Sequence, residues 1–189
     1  MKKYRNWLFI LCLTMITIPA FAFEGGGGTV DQEELDDFVS KIPRGSLYSF
    51  RDKPRLPGIW SEAAELEALI EMYKASLDKR LLDELAYRFD FLLDNTSEKL
   101  GIYDVLKNNK LPAWGTEDYS CGLYFIQSVH TGMLTYPMAM FAKIIFENPN
   151  LRNQYEQKAN NYVQAIQNAL AIHKADFKTK NSQSGYYTW

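Results

Sequence analysis

The sequence has few of the residues that build metal centres and disulfide cross-links, with 2 cysteines and 2 histidines among 189 residues. It has no Cys-x-x-Cys or His-x-x-x-His spacing, so the pattern predicts neither a metal site nor a cofactor. Basic residues are not in excess either, because 21 lysines and arginines face 23 acidic residues. Nucleic-acid binding needs a basic surface, so this class of function is excluded.

No hydrophobic run reaches the about 20 residues that a membrane-spanning helix needs. The longest run, Trp7 to Ile18, follows three basic residues and precedes the small-residue motif Ala20-Phe21-Ala22. This arrangement is typical of a secretory signal peptide. We therefore predict a signal peptide over residues 1–22 and a periplasmic or secreted protein with no stable membrane insertion after cleavage. An uncleaved N-terminal anchor is the alternative.

Signal cleavage would leave Cys121 as the one cysteine, so no internal disulfide could form. We expect Cys121 to be a small buried apolar residue, with a nucleophilic thiol as the alternative.

The length of 189 residues suits a single domain. Hydrophobic residues make up 47% and charged residues 23% of the chain, which is ordinary for a globular protein.

Residues 23–59 are expected to form a flexible leader, a short helix and an irregular loop. Four consecutive glycines, Gly25 to Gly28, lack the Lys-Ser or Lys-Thr that follows a phosphate-binding loop, so they indicate a flexible segment. Apolar residues recur at helical spacing from Asp31 to Ile42, which predicts a short acidic helix. Prolines and glycines then predict an irregular loop over residues 43–59.

Residues 60–189 are predicted to form a domain of helical hairpins. A helix capped by Ser61 and ending at Ser76 is followed by a second helix over Lys79 to Asp94. The connector between them is short, which is typical of an antiparallel αα-hairpin.

A second hairpin is predicted from Tyr124 to Phe146 and from Leu151 to Lys174. Gly132 and Pro137 are candidate interruptions of its first helix. The two hairpins resemble a diverged repeat, as expected for a stacked helical array. No stretch alternates at period two, so the predicted fold class is all-α.

The segment from Trp60 to Tyr73, the returning helix from Leu82 to Asp94, and His130-Thr131-Gly132 with Tyr136-Pro137 carry a resemblance to a known family. They are similar to the (α/α)-toroid carbohydrate-active proteins of the six-hairpin type, which include secreted glycosidases, polysaccharide lyases and uronosyl epimerases. The resemblance implies a partial toroid-like array and a poly- or oligosaccharide ligand. A complete toroid has more helices than this chain supplies, so a truncated or partial array is expected.

His130 and Tyr136 are the candidate catalytic residues. Histidine exchanges protons near neutral pH, and a tyrosine close to it could share acid/base work in a lyase-type elimination. The alternative for His130 is a hydrogen-bonded structural role.

Aromatic residues make up 14% of the chain and supply a candidate sugar-binding surface. Trp60, Trp114 and Tyr187 lie at predicted loops or helix ends, where flat rings could pack on the apolar C–H faces of sugars. Glu117, next to Asp118, is the candidate carboxylate, with a solvated acidic loop as its alternative. Packing between hairpins is the alternative for the aromatic residues. Tyr73, Phe89, Phe141 and Tyr162 are assigned to the core.

Two functions follow from these patterns. The first is an exported protein that acts on or binds a poly- or oligosaccharide, uronate-containing in the leading case. If the protein is an enzyme, it would be similar to a polysaccharide lyase or a glycosidase. The alternative is a non-enzymatic helical interaction module, or a remnant of a larger toroid enzyme. Self-association or a protein partner would then cover its exposed helix faces.

Overall fold

The computed structural model describes residues 30–51, 56–118 and 120–188. The predicted signal peptide and the glycine run lie outside the described residues. The described chain is mostly helical and carries one small two-stranded sheet. The all-α prediction is therefore correct for the main body and wrong at its C-terminal end. Within these three ranges, no helix is long and apolar enough to cross a membrane.

The first helix, α1, covers Gln32–Ser40 and confirms the predicted acidic helix. The Asp31 side chain accepts a hydrogen bond from the backbone N–H of Glu34 at 2.8 Å. The Glu34 carboxylate in turn accepts one from the backbone N–H of Asp31. This reciprocal capping box satisfies two N–H groups that the helix start would otherwise leave unpaired.

A short helix, α2, covers Gly45–Tyr48 inside the predicted irregular loop. The next helix, α3, covers Leu56–Ser76 and begins before its predicted cap, so Ser61 lies within the helix. Proline is tolerated in a first helical turn, because its nitrogen would have no acceptor there. A Cβ atom on Gly58 would lie 2.1 Å from the Ser49 Oγ atom, so glycine permits the close approach of α3 to the α2 region.

The helix α4 covers Lys79–Asp94, as predicted. Its N-cap is Asp78, whose carboxylate accepts the backbone N–H of Arg80 at 2.8 Å. The predicted apolar stripe of α4 is buried at Leu81, Leu82, Leu85, Phe89 and Leu92. Because only Leu77 and Asp78 separate them, α3 and α4 form the predicted antiparallel hairpin.

A long connector, which includes the one-turn helix α5 (Ser97–Leu100), leads to the second hairpin. The helix α6 covers Ser128–Glu147 and is continuous through Gly132 and Pro137, so neither candidate interruption breaks it. Tyr124, the predicted start of this helix, is instead buried in the connector, with its hydroxyl 2.6 Å from the Ser97 hydroxyl.

The helix α7 covers Pro149–Ala171 and runs antiparallel to α6, since only Asn148 separates them. Asn148 ends α6, and its side chain caps α7 by accepting the backbone N–H of Asn150 at 3.1 Å. The second predicted hairpin is therefore present, with shorter helices than expected.

The two hairpins stack side by side in the same direction. The Tyr155 hydroxyl of α7 donates to Asp83 of α4 at 2.6 Å, and the Tyr162 hydroxyl donates to Asp90 at 2.7 Å. From the first pair to the second, both helices advance by about two turns towards their C-terminal ends, so α4 and α7 are parallel. Because each hairpin is antiparallel, α3 and α6 are also parallel.

Aromatic rings fill the core between the hairpins. Edge-on contacts join Phe89 to Phe141 and Tyr162 at centroid distances of 5.7 and 5.2 Å. Phe141 also contacts Tyr155 at 5.9 Å. The assignment of Tyr73, Phe89, Phe141 and Tyr162 to the core is confirmed by their burial.

The chain ends in a β-hairpin that the sequence reading did not predict. The strand β1 covers Phe177–Asn181 and pairs antiparallel with β2, Ser184–Tyr187. Both strands are exposed along their length. The backbone N–H of Thr188 donates to the Asp176 carbonyl at 2.7 Å, which closes the base of the hairpin.

Candidate functional site

Two aromatic residues, Trp60 of α3 and Tyr136 of α6, are each 56% exposed. Tyr136 and Glu67 border the same shallow depression of about 80 Å³. Trp60 lies about two turns before Glu67, and Val129 about two turns before Tyr136, so each lies on the same side of its helix as the depression. We call this surface the α3–α6 face, formed by Trp60, Glu67, Glu71, Val129, Tyr136 and Met140.

The polar groups of the α3–α6 face are carboxylates. Glu67 is exposed and makes no hydrogen bond or ion pair with any described residue. Glu71 pairs with Lys74 at 2.6 Å on the exposed side of α3. Trp60 lies about 10 Å along the helix from Glu67, since seven residues make two turns. The face therefore offers two separated aromatic rings with an unpaired acceptor beside the second.

His130 lies in the first turn of α6 and is 2% exposed. Its Nδ1 atom has no hydrogen-bond partner in the described chain. Burial lowers the pKa of His130, although the nearby charge of Asp118 opposes this effect. The side chain is therefore an uncharged, enclosed imidazole at neutral pH.

The structure does not bring His130 and Tyr136 together. Side chains six positions apart on a helix point in directions about 120° apart, so His130 faces the core while Tyr136 faces solvent. Their shared acid/base role stays a prediction. The alternative was a hydrogen-bonded structural histidine. The burial of His130 agrees with a structural role, but its Nδ1 atom has no hydrogen-bond partner among the described residues.

Three other predicted site residues lie on neither α3 nor α6, because Trp114 and Glu117 belong to the connector and Tyr187 to β2. Trp114 is 1% exposed, and its indole N–H donates to the Leu92 carbonyl at 2.9 Å. Glu117 is half-buried in a turn where the Ser120 hydroxyl donates to its carbonyl. Tyr187 is exposed on β2 and packs edge-on against Phe177 at 5.2 Å.

The second histidine belongs to a buried polar network that joins α6, the end of α7 and the connector. The His173 Nε2 atom lies 2.9 Å from the Thr131 hydroxyl, and Nδ1 lies 3.1 Å from Asp176. Lys107 pairs with Asp176 at 2.6 Å. This order resembles a nucleophile–base–acid triad, but Thr131 is fully buried in α6, so no substrate can reach its hydroxyl.

A buried ion cluster around Arg88 of α4 was missed by sequence reasoning. Arg88 is 0% exposed and donates to Glu62 at 2.9 Å, to Glu65 at 2.9 Å and to Glu84 at 2.8 Å. It also donates to the carbonyl of Pro43. The cluster therefore fixes the segment after α1 onto the first hairpin.

The prediction that Cys121 is buried is wrong, because Cys121 is exposed and has a backbone φ of 55°. Among the described residues, no group of three or more histidine, cysteine or acidic side chains could hold a metal ion.

Comparisons with protein-family models, curated proteins and solved structures gave no match. The resemblance to the (α/α)-toroid proteins stays a prediction.

Both buried histidines should make the protein less stable as the pH falls. Burial lowers the pKa of His130 and of His173 below the ordinary value of 6.5, so the unfolded chain binds more protons than the folded chain below that pH. Stability then decreases from pH 6.5 downward, by up to about 1.4 kcal/mol per pH unit for each histidine.

We expect His130→Leu to weaken this pH dependence while costing less than about 1.5 kcal/mol at pH 7, because Nδ1 is already unpaired. Thermal melts of both proteins between pH 7.5 and 5 would measure the effect. Equal slopes for wild type and His130→Leu would show that the pKa of His130 is not lowered in the folded protein.

Proposed function

We propose that this protein is a non-catalytic oligosaccharide-binding module and that the α3–α6 face is its binding surface. The observation that carries the proposal is the exposed ring of Tyr136 beside the unpaired Glu67, with a second exposed ring, Trp60, two turns earlier on the same side of α3. Exposed aromatic rings expel water readily from their faces, and sugars present apolar C–H faces of similar size.

The shape of the α3–α6 face favours a chain rather than a single sugar. The depression beside Tyr136 holds only about 80 Å³, which is too small and shallow to enclose a ligand. The ring of Trp60 lies about two helical turns away, roughly 10 Å along α3. An oligosaccharide along the α3–α6 face would place one sugar on Trp60 and another beside Tyr136.

The charge of the α3–α6 face favours a neutral oligosaccharide. Glu67 and Glu71 supply carboxylate oxygens that accept hydrogen bonds from sugar hydroxyls. The Glu67 carboxylate, which has no cationic partner among the described residues, would repel a uronate, since like charges across a contact weaken binding. The proposal therefore departs from the uronate-containing ligand expected from the sequence.

The proposal assigns binding and not turnover. A general acid for glycoside cleavage is usually a carboxyl group kept protonated by burial. Glu67 and Glu71 are both exposed, and the enclosed His130 lies on another side of α6. The α3–α6 face thus lacks an enclosed proton donor beside its aromatic rings.

The test is binding of neutral hexasaccharides by the full chain. We expect Trp60→Ala to weaken binding about tenfold, the loss of roughly 1.4 kcal/mol of ring contact. Tyr136→Ala should weaken it similarly. Tyr103→Ala is the matched control, because Tyr103 is equally exposed but lies in the connector. Titrations followed by heteronuclear NMR would give both the affinities and the residues that shift.

Three outcomes would contradict the proposal. Absence of binding to every neutral hexasaccharide tested, with a folded protein, would overturn it and favour the protein-interaction alternative. Binding that Trp60→Ala leaves unchanged would place the sugar elsewhere. Tighter binding of a uronate hexasaccharide than of a neutral one would overturn the charge argument.

A further inference from the structure

A groove lies between α1 and α3, separate from the α3–α6 face. It encloses about 550 Å³, which is within the roughly 300–1,000 Å³ of small-molecule sites in proteins. The groove uses Ala68, Leu69 and Met72 of α3, which are turned to another side of that helix than Glu67 and Glu71. Its other wall is apolar as well, formed by Val30, Phe38 and Ile42.

Two contacts hold α1 in place without filling this groove. Leu35 is buried against the main core. On the other side of α1, Asp36 pairs with Arg80, at the start of α4, at 2.7 Å. Phe38, one turn after Leu35, and Ile42, just beyond the end of α1, then face the space beside α3. The groove is therefore a consequence of how α1 is anchored.

The edge of the groove carries more negative than positive charge. Three carboxylates, of Glu34, Asp37 and Glu65, border it together with one ammonium group, of Lys41. The Lys41 ammonium is bound to Asp37 at 2.8 Å. Glu65 accepts from the buried Arg88. Among the described residues, Glu34 has no cationic partner, and its carboxylate accepts only the backbone N–H of Asp31.

We propose that the groove between α1 and α3 binds an apolar molecule with one positively charged end, such as an alkylamine. The alkyl chain would lie on Phe38, Leu69 and Met72, where burial removes apolar surface from water. The ammonium group would remain at the rim beside Glu34. A carboxylate in the same position would meet the uncompensated negative charge of the rim.

The first experiment compares two probes with equal chains, decylammonium and decanoate, by calorimetry of the full chain below the concentrations at which the probes form micelles. Opposite charges a few ångströms apart in water contribute about 1 kcal/mol, which is about fivefold in affinity. We expect decylammonium to bind about fivefold more tightly than decanoate at low salt. The difference should shrink in high salt, which screens exposed charges.

The second experiment fills the groove from an exposed position. Ala68 lines the groove and is exposed, so Ala68→Trp should occupy the space without disturbing the core, and it should weaken decylammonium binding at least about tenfold. Ala75→Trp is the matched control, since Ala75 is exposed on the same helix and does not line the groove. Unchanged binding by Ala68→Trp would overturn the site.

A third variant isolates the charge. Glutamine can replace glutamate in a capping box, so Glu34→Gln should keep α1 intact while removing the negative charge. We expect the preference for decylammonium over decanoate to fall to less than about twofold in this variant. A preference that Glu34→Gln leaves at its original size would overturn the assigned position of the ammonium group. Equal affinities of the two probes for the wild type would overturn the charge selectivity itself.

Discussion

Arg88→Met is expected to lower the free energy of unfolding by about 3–5 kcal/mol, as measured by urea denaturation followed by circular dichroism. Arg88 is fully buried and donates to three carboxylates and to the Pro43 carbonyl. Its removal leaves Glu62, which is also fully buried, without the positive charge that compensates it. The segment after α1 would lose the hydrogen bond from Arg88 to the Pro43 carbonyl at the same time.

The loss in Arg88→Met should depend on pH. Burial already raises the pKa of Glu62 above the ordinary value of 4.5, although Arg88 opposes this effect. Without Arg88 the pKa of Glu62 should rise further. A carboxyl group with a raised folded-state pKa stabilises the protein below its unfolded pKa, and the benefit is lost as the pH rises. The difference between Arg88→Met and wild type should therefore be smaller at pH 4 than at pH 7.

Two further variants serve as controls. Arg44 also binds Glu84, but the Arg44 side chain is half-exposed, so Arg44→Met should cost less than about 1 kcal/mol. The double variant Glu62→Met with Arg88→Met removes both buried charges and should recover part of the loss. Equal losses in Arg44→Met and Arg88→Met would contradict the view that burial makes the cluster important.

The sequence contained a signal for this cluster. Glu62 precedes Leu66 and Leu69 at helical spacing, so it occupies a core-facing position of α3. Arg88 lies between the buried Leu85 and Leu92 on α4 in the same way. One charge of each sign on the apolar stripes of two paired helices predicts a buried ion pair. The apolar residues of a helix stripe do not by themselves reveal a charged residue that lies among them.

Helices were predicted well where the sequence marks both of their ends. The bounds of α4 were predicted correctly because Asp78 is a good cap and the apolar stripe is regular. The start of α3 was missed because Pro57 and Gly58 indicate a loop, although both are compatible with a first turn in contact with Ser49. The strand β1 was missed because only its first residue, Phe177, is apolar and both of its faces are exposed, so it has no alternation of apolar and polar residues.

The candidate site was harder to predict than the helices, because it depends on which face each helix buries. The similarity of the two hairpins predicted that they stack. It did not predict that Tyr136 lies beside Glu67, because this depends on the register between α3 and α6. Residue type was equally ambiguous. Trp60 and Trp114 both stood at predicted loops or helix ends, yet one is exposed and the other is enclosed.

Trp114→Ala is expected to lower the free energy of unfolding by about 3–5 kcal/mol, the usual cost of deleting a buried tryptophan. The indole is 1% exposed, and its N–H donates to the Leu92 carbonyl near the C-terminal end of α4. Deleting it opens a cavity between the connector and the first hairpin and leaves that carbonyl without this donor. Urea denaturation of the variant measures the loss.

Two comparisons separate this structural role of Trp114 from the sugar-binding role that the sequence suggested. Trp114→Phe keeps part of the ring packing but loses the hydrogen bond to Leu92, so its cost should be smaller, about 1–3 kcal/mol. Trp60→Ala should change stability by less than about 0.5 kcal/mol, because that ring is exposed. A Trp114→Ala protein of unchanged stability that had lost oligosaccharide binding would reverse the roles assigned to the two tryptophans.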